Sequence, residues 1–139
     1  MKLEGRVAVV TGAGSGIGRG ISQALARRGC HLALCDLNQK GMDETRALVP
    51  NVKLTTHKLD VTDRVAVAAL PETVLAEHGR VDVLVNNAGV AVGGNFEQVG
   101  EEDFDWCMDV NFNAVVRLTR AFLPHLKKSD GGRIINISS

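Results

Sequence analysis

One step in the chain limits the fold more than any other. Arg6 to Thr11 (RVAVVT) reads as a β-branched strand and runs directly into Gly12-Ala13-Gly14-Ser15-Gly16-Ile17-Gly18. A turn so poor in side chains lets the backbone double back tightly against its own strand. The segment that follows has helical period, with Ile17, Ile21, Ala24, Leu25 and Arg28 on one stripe and Gly29 closing it. The alternation then repeats. His31 to Asp36 reads as a strand, Asn38 to Val49 as a helix stopped by Pro50, and Val52 to Leu59 as a third strand. Asp63 opens a helix that Gly79 closes after His78, with a kink or break expected near Leu70 because Pro71 lacks an N–H. Val81 to Asn86 is apolar almost throughout, as a strand covered on both faces must be. After a loop from Gly89 to Gly100, one long helix is expected from about Glu101 to Lys127, carrying Phe104, Met108, Val115, Leu118 and Phe122 inward. Gly131 and Gly132 lead into a last buried strand, Ile134 to Ile137. Strands alternating with helices in this way make an α/β doubly wound parallel sheet, a single unit over residues 1–139 that stops after its fifth strand. Ligands of such sheets sit at the carboxyl ends of the strands.

Composition narrows the classes of partner. The 16 basic side chains equal the 16 acidic ones, so no electrostatic footprint for nucleic acid or an anionic membrane is visible. No stretch approaches the length of apolar residues that spans a bilayer, and the opening MKLEGRVAVVTG lacks the apolar core of a signal peptide; a cytoplasmic protein is expected. Cys30, Cys35 and Cys107 are odd in number and show no metal-ligand spacing, which suits small buried hydrophobes. His31, His57, His78 and His125 are scattered, and no metal is expected.

The glycine turn fits TGxxxGxG, with Gly12, Gly16 and Gly18, rather than GxGxxG. Missing side chains there let the backbone approach a pyrophosphate, and the free N–H groups of the helix beginning near Ile17 face its charge. Ser15 adds a hydroxyl donor. Asp36 ends the second strand 18 residues after Gly18, close to the spacing of about 20 at which an acid meets the adenosine ribose of a dinucleotide in a Rossmann fold. The alternative is a cap for the helix after Asn38. A 2′-phosphate about 4 Å from Asp36 would cost on the order of 4 kcal/mol at an effective dielectric near 20. Neither Ser15 nor Leu37 offers a compensating positive charge, and Arg19 is expected to point along its helix rather than into the turn. NAD is therefore expected in preference to NADP.

With TGxxxGxG, the strand-two Asp36, Asp60-Val61 and the NNAG of Asn86 to Gly89, the sequence resembles the short-chain dehydrogenase/reductase family over essentially its whole length. The resemblance implies that Gly12, Ser15, Gly16, Ile17 and Gly18 seat the cofactor, and that Asp36 and Leu37 border its ribose. It also implies that Asp60 and the Val61 backbone hold adenine, and that Asn87, Ala88 and Gly89 pass beneath the cofactor. Asp60 read without it is a turn acid helping to cap the next helix. Asn111 in DVNFNAVVRLT matches the helix asparagine of the family's catalytic tetrad, whose main-chain carbonyl holds a relay water at a local bend; Ala114 stands where the family usually has glycine.

In NISS the resemblance assigns the substrate-binding serine to Ser139, with Ser138 as the neighbouring alternative. The family's acid/base is a tyrosine about a dozen residues later, supported by a lysine, and this chain contains no tyrosine. The expectation is thus an NAD-dependent oxidoreductase that interconverts a secondary alcohol and a ketone. On this reading the 139 residues alone are inactive and poorly soluble, and the intact protein pairs through the long helix as a homodimer or homotetramer. A non-catalytic NAD-binding module is the competing reading, and a methyltransferase a weaker third.

Overall fold

The computed structural model describes residues 1–49 and 51–138. Pro50, expected to stop a helix, and Ser139, expected to meet substrate, lie outside the described residues. The elements are β1 (Val7–Thr11), α1 (Gly16–Ala26), β2 (His31–Asp36), α2 (Gln39–Ala47), β3 (Leu54–Lys58), α3 (Arg64–His78), β4 (Val83–Asn86), α4 (Glu101–Met108), α5 (Ala114–Leu126) and β5 (Arg133–Asn136). All strand pairs are parallel, in the order β3-β2-β1-β4-β5.

Period-two alternation divides the strand side chains between two cores. Val9, Ala33 and Leu84 join Val67, Leu70, Val74, Leu118 and Phe122 on the face covered by α3 and α5. Ala8, Val10, Leu32, Leu34, Val83 and Val85 join Leu25, Ala26 and Met42 on the face covered by α1 and α2. Strands buried on both sides must be apolar on both, which is why RVAVVT and VDVLVN carry so few polar residues. Asp82 is the buried charged exception. Fully buried, it accepts from Arg80 Nε and Nη2, from Ser129 Oγ, from the Val7 N–H and from Arg6 Nη1. Burial works to raise the Asp82 carboxyl, but these hydrogen bonds outweigh it and hold the group far below the ordinary carboxylate range.

The helix ends follow their sequence signals. The Asp63 side chain accepts from the Ala66 N–H, Asn38 caps α2 through Gly41, and Gly79 closes α3 with φ +76°. Four expectations need correction. Pro71 does not break α3, which runs on through it; the missing N–H removes a single bond and the ring itself is buried against the core. The long helix is two helices joined by a π-helical turn over Asp109–Asn113. A π turn holds more residues than an α turn, so the apolar stripe loses its phase across it: Leu118 and Phe122 are buried, Val115 is half-buried, and Phe104 and Met108 face solvent. On α1 the inner face is Gly18, Ser22 and Leu25, while Ile17, Ala24 and Arg28 are exposed. Finally, β5 is not buried; Ile134, Ile135 and Ile137 stand 38%, 41% and 39% exposed. No helix among the described residues is long and apolar enough to cross a membrane.

Candidate functional site

The carboxyl ends of β1, β2 and β4 and the turn after β3 enclose a cavity of about 430 Å³, a size typical of small-molecule sites. Gly12, Ser15, Gly16, Ile17, Asp36, Leu37, Asp60, Val61, Asn87, Ala88 and Gly89, all named from sequence, line it together. Gly18 does not. It is buried behind the turn, where a Cβ would come within 2.1 Å of the Gly12 carbonyl oxygen, so only glycine lets α1 start this close to β1. Gly16 has φ +52°, and a Cβ there would project into open space.

Ser15 is the N-cap of α1, yet its side chain makes no capping bond, and no acid lies in the first turn. The positive end of α1 is thus uncompensated by the protein. At the neighbouring strand end, Asp36 is fixed from two sides: Oδ2 accepts from the Gly14 N–H at 2.8 Å and Oδ1 from the Asn38 N–H at 2.9 Å. The cap of α2 is Asn38 itself. Arg19 departs from expectation. Instead of pointing along its helix, it folds back on the turn, with Nη2 donating to the Gly14 carbonyl at 2.7 Å and to the Gly41 carbonyl at 3.2 Å, and Nε donating to Thr45 Oγ1 at 3.0 Å. The carbonyls of two helix-side turns draw it there.

A single hydroxyl, that of Thr11, locks the other flank. Its Oγ1 accepts from the N–H groups of Asn87 and Ala88, both at 3.0 Å, and donates to the Val85 carbonyl at 3.3 Å. The Asn87 amide nitrogen donates to the carbonyls of Thr11 and Gly12 at 3.1 and 3.3 Å, so this side chain braces the glycine turn from the cavity wall. Asp60 Oδ1 accepts from the N–H and hydroxyl of Thr62, the turn role read from its sequence context. Asn111 sits in the π-helical turn, outside the cavity lining. Its amide pairs twice with Val90, Oδ1 accepting from the N–H and Nδ2 donating to the carbonyl, each at 2.8 Å.

Sequence reading misses five lining residues: Cys35, Leu59, Val90, Trp106 and Val110. Burial first, and then Asp36, push the Cys35 thiol up to about 12, so it is a neutral wall rather than a nucleophile. Trp106 and Val110 lie four apart, one helical turn, just before Asn111, and that spacing is the available signal. Among the described residues no group of three His, Cys, Asp or Glu could hold a metal.

A model of the short chain dehydrogenase family matches residues 6–139. The chain belongs to the short-chain dehydrogenase family. Oxidoreductase UcpA of Salmonella typhimurium is 41% identical over 143 residues, covering 99% of this chain and 53% of that protein. A metagenomic short-chain oxidoreductase crystallised with NADP superposes with TM-score 0.92 at 39% identity, over 100% of this chain and 64% of that one. A short-chain dehydrogenase/reductase from Burkholderia phymatum crystallised with NAD gives TM-score 0.94 at 33% identity, over 100% and 50%. The chain spans about half the length of the curated short-chain dehydrogenase relatives it matches.

Proposed function

We propose that the intact protein is an NAD-dependent oxidoreductase that interconverts a secondary alcohol and a ketone by hydride transfer. The observation that carries this reading is the pairing, in one cavity, of an uncompensated helix N-terminus with a carboxylate fixed at the tip of β2. The first suits a pyrophosphate and the second a ribose diol. Bound NAD supplies the hydride chemistry. This chain's residues would hold it: the α1 amides and Ser15 seat the pyrophosphate, Asp36 accepts the ribose hydroxyls, and Asp60 with Val61 borders the base. Both ends of the Asn111 amide pair with Val90, and the family resemblance gives its main-chain carbonyl the relay water. Ser139 would orient the substrate oxygen. With no tyrosine in the 139 residues, they are expected to give no turnover alone.

Solved relatives are described with NADP and with NAD. NAD is favoured here because Asp36 would face a 2′-phosphate, and Arg19, the cation on α1 beside the turn, is engaged by Gly14, Gly41, Thr45 and Glu44. Pairing through the π-helical turn and α5 is part of the same proposal, since Phe112, Val116 and Leu123 are 57%, 44% and 37% exposed at helical spacing. Titration of the full-length protein should show NADH binding at least about tenfold more tightly than NADPH, a ratio worth about 1.4 kcal/mol. Equal affinities would refute the role of Asp36. Alcohol-dependent NADH production separates the enzyme from a module that only binds NAD.

A further inference from the structure

We infer that Trp106 is the aromatic wall of the adenine subsite, stacking on the purine and selecting ligands by that base. The inference rests on the proposed NAD site and assigns it a residue that nothing in the TGxxxGxG, DV or NNAG motifs points to.

The chain is poor in rings, with one tryptophan, four phenylalanines and no tyrosine. Its single indole lines the cavity, and no other aromatic residue does so among the described residues. Position along the cavity follows from packing. Val110, one turn beyond Trp106, is buried in the cluster that contains Leu59 and Val61, so this face of α4 lies over the turn after β3. Trp106 stands at the mouth above it, 47% exposed. That end holds Asp60 and an apolar floor of Leu59, Val61 and Val110.

Charge then fixes which part of a dinucleotide goes where. The Asp60 carboxylate repels phosphates, which are drawn instead to the N-terminus of α1 beyond the glycine turn. What remains for the acid end is uncharged, flat and edged with hydrogen-bonding groups: a base with its ribose. A planar indole beside an apolar floor offers it a stacking surface. The indole also borders an open groove with Met108 and Asn113, so cover by a protein neighbour is the competing explanation for its position.

The test uses full-length protein, with Trp106→Ala and Trp106→Phe, titrated calorimetrically with NADH and with ADP-ribose, which keeps the adenosine half and lacks nicotinamide. Trp106→Ala should weaken both ligands by the same factor, roughly 5- to 150-fold, the range expected for loss of one base–aromatic stack. Trp106→Phe should restore most of that affinity, and ADP-ribose should quench the emission difference between wild type and Trp106→Phe. Comparable melting temperatures of the free proteins control for misfolding, and the phenylalanine variant carries the test if the alanine variant fails to fold. Unchanged ADP-ribose affinity in Trp106→Ala, or loss confined to NADH, would overturn the assignment while leaving the NAD site intact. Wild-type protein that binds neither ligand would instead overturn the proposed function.

Discussion

At the scale of single residues, position 18 is decided by two backbone atoms. A Cβ on Gly18 would meet the Gly12 carbonyl oxygen at 2.1 Å and its carbon at 2.7 Å, and neither can move without opening the turn that faces the cavity. Gly18→Ala should therefore lower stability by about 1–3 kcal/mol and abolish dinucleotide binding. Two positions further, a methyl group on Gly20 would meet nothing within 4 Å, and the residue lies inside α1. Gly20→Ala should stabilise by about 0.5–1 kcal/mol and leave binding unchanged, which thermal melts and titration of the pair will check. Asp82 makes the same kind of case from charge. Its carboxylate holds Arg6 and Arg80 to the amino-terminal ends of β1 and β4, and Asp82→Asn should cost about 3 kcal/mol in denaturant unfolding while sparing ligand binding at the far end of the sheet. Asp36 is legible from the sequence because a strand end and a spacing locate it. Thr11 and Arg19 are not, since the partners of Thr11 lie 74 to 77 residues away and three of the four partners of Arg19 lie 22 to 26 away, and no local pattern encodes such contacts.

At the scale of elements, the strands are the easiest to read and the helix after β4 the hardest. Apolar runs bounded by glycine mark β1, β2 and β4, whereas DVNFN carries no glycine or proline to announce a π-helical turn, so period alone puts the residues before it on the wrong face. The edge strand β3 hides another device. Thr55 Oγ1 lies 2.8 Å from His57 Nε2 and 2.8 Å from His78 Nε2. One hydroxyl can donate to one ring and accept from the other, so two protonated rings would leave it between two donors. Burial lowers the pKa of both histidines; for His78 Lys53, His57 and His31 add to this, while Glu77 opposes it at both. The unfolded rings take protons near pH 6.5 and the folded ones only below that. The unfolded state therefore binds more protons over that interval, and stability present above about pH 6.5 is lost as pH falls through it. Solvent screening keeps the loss below the limit of about 1.4 kcal/mol per pH unit for each ring. Melting temperature should fall between pH 7.5 and 5.5, and His78→Gln should flatten that slope. A wild-type slope unchanged by the substitution would exclude the pair as its source.

At the scale of the whole molecule, β5 is the least covered strand of the described sheet. Ile134 pairs in register with Leu84 and shares the face covered by α3 and α5, whereas Ile135 pairs with Val85 and shares the face covered by α1 and α2. All three isoleucines of this segment stand open, Ile134 at 38%, Ile135 at 41% and Ile137 at 39%, beside the unpaired outer edge of the described sheet. An apolar edge strand of this kind is a template for pairing with another chain. Strand identity is legible in RIIN, but its exposure is not, because a run of isoleucines reads as buried whether or not a neighbour covers it. The 139-residue polypeptide on its own should accordingly self-associate, eluting as polydisperse species by size exclusion with light scattering. Ile135→Lys places a charge at an edge position outside both core clusters and should raise the monomer fraction severalfold with the circular dichroism spectrum unchanged. Phe112→Glu, in the π-helical turn before α5, should not do so, because it lies away from the β5 edge. A monodisperse wild-type monomer of these residues would show that the isoleucines tolerate water, and that the sheet edge drives no association.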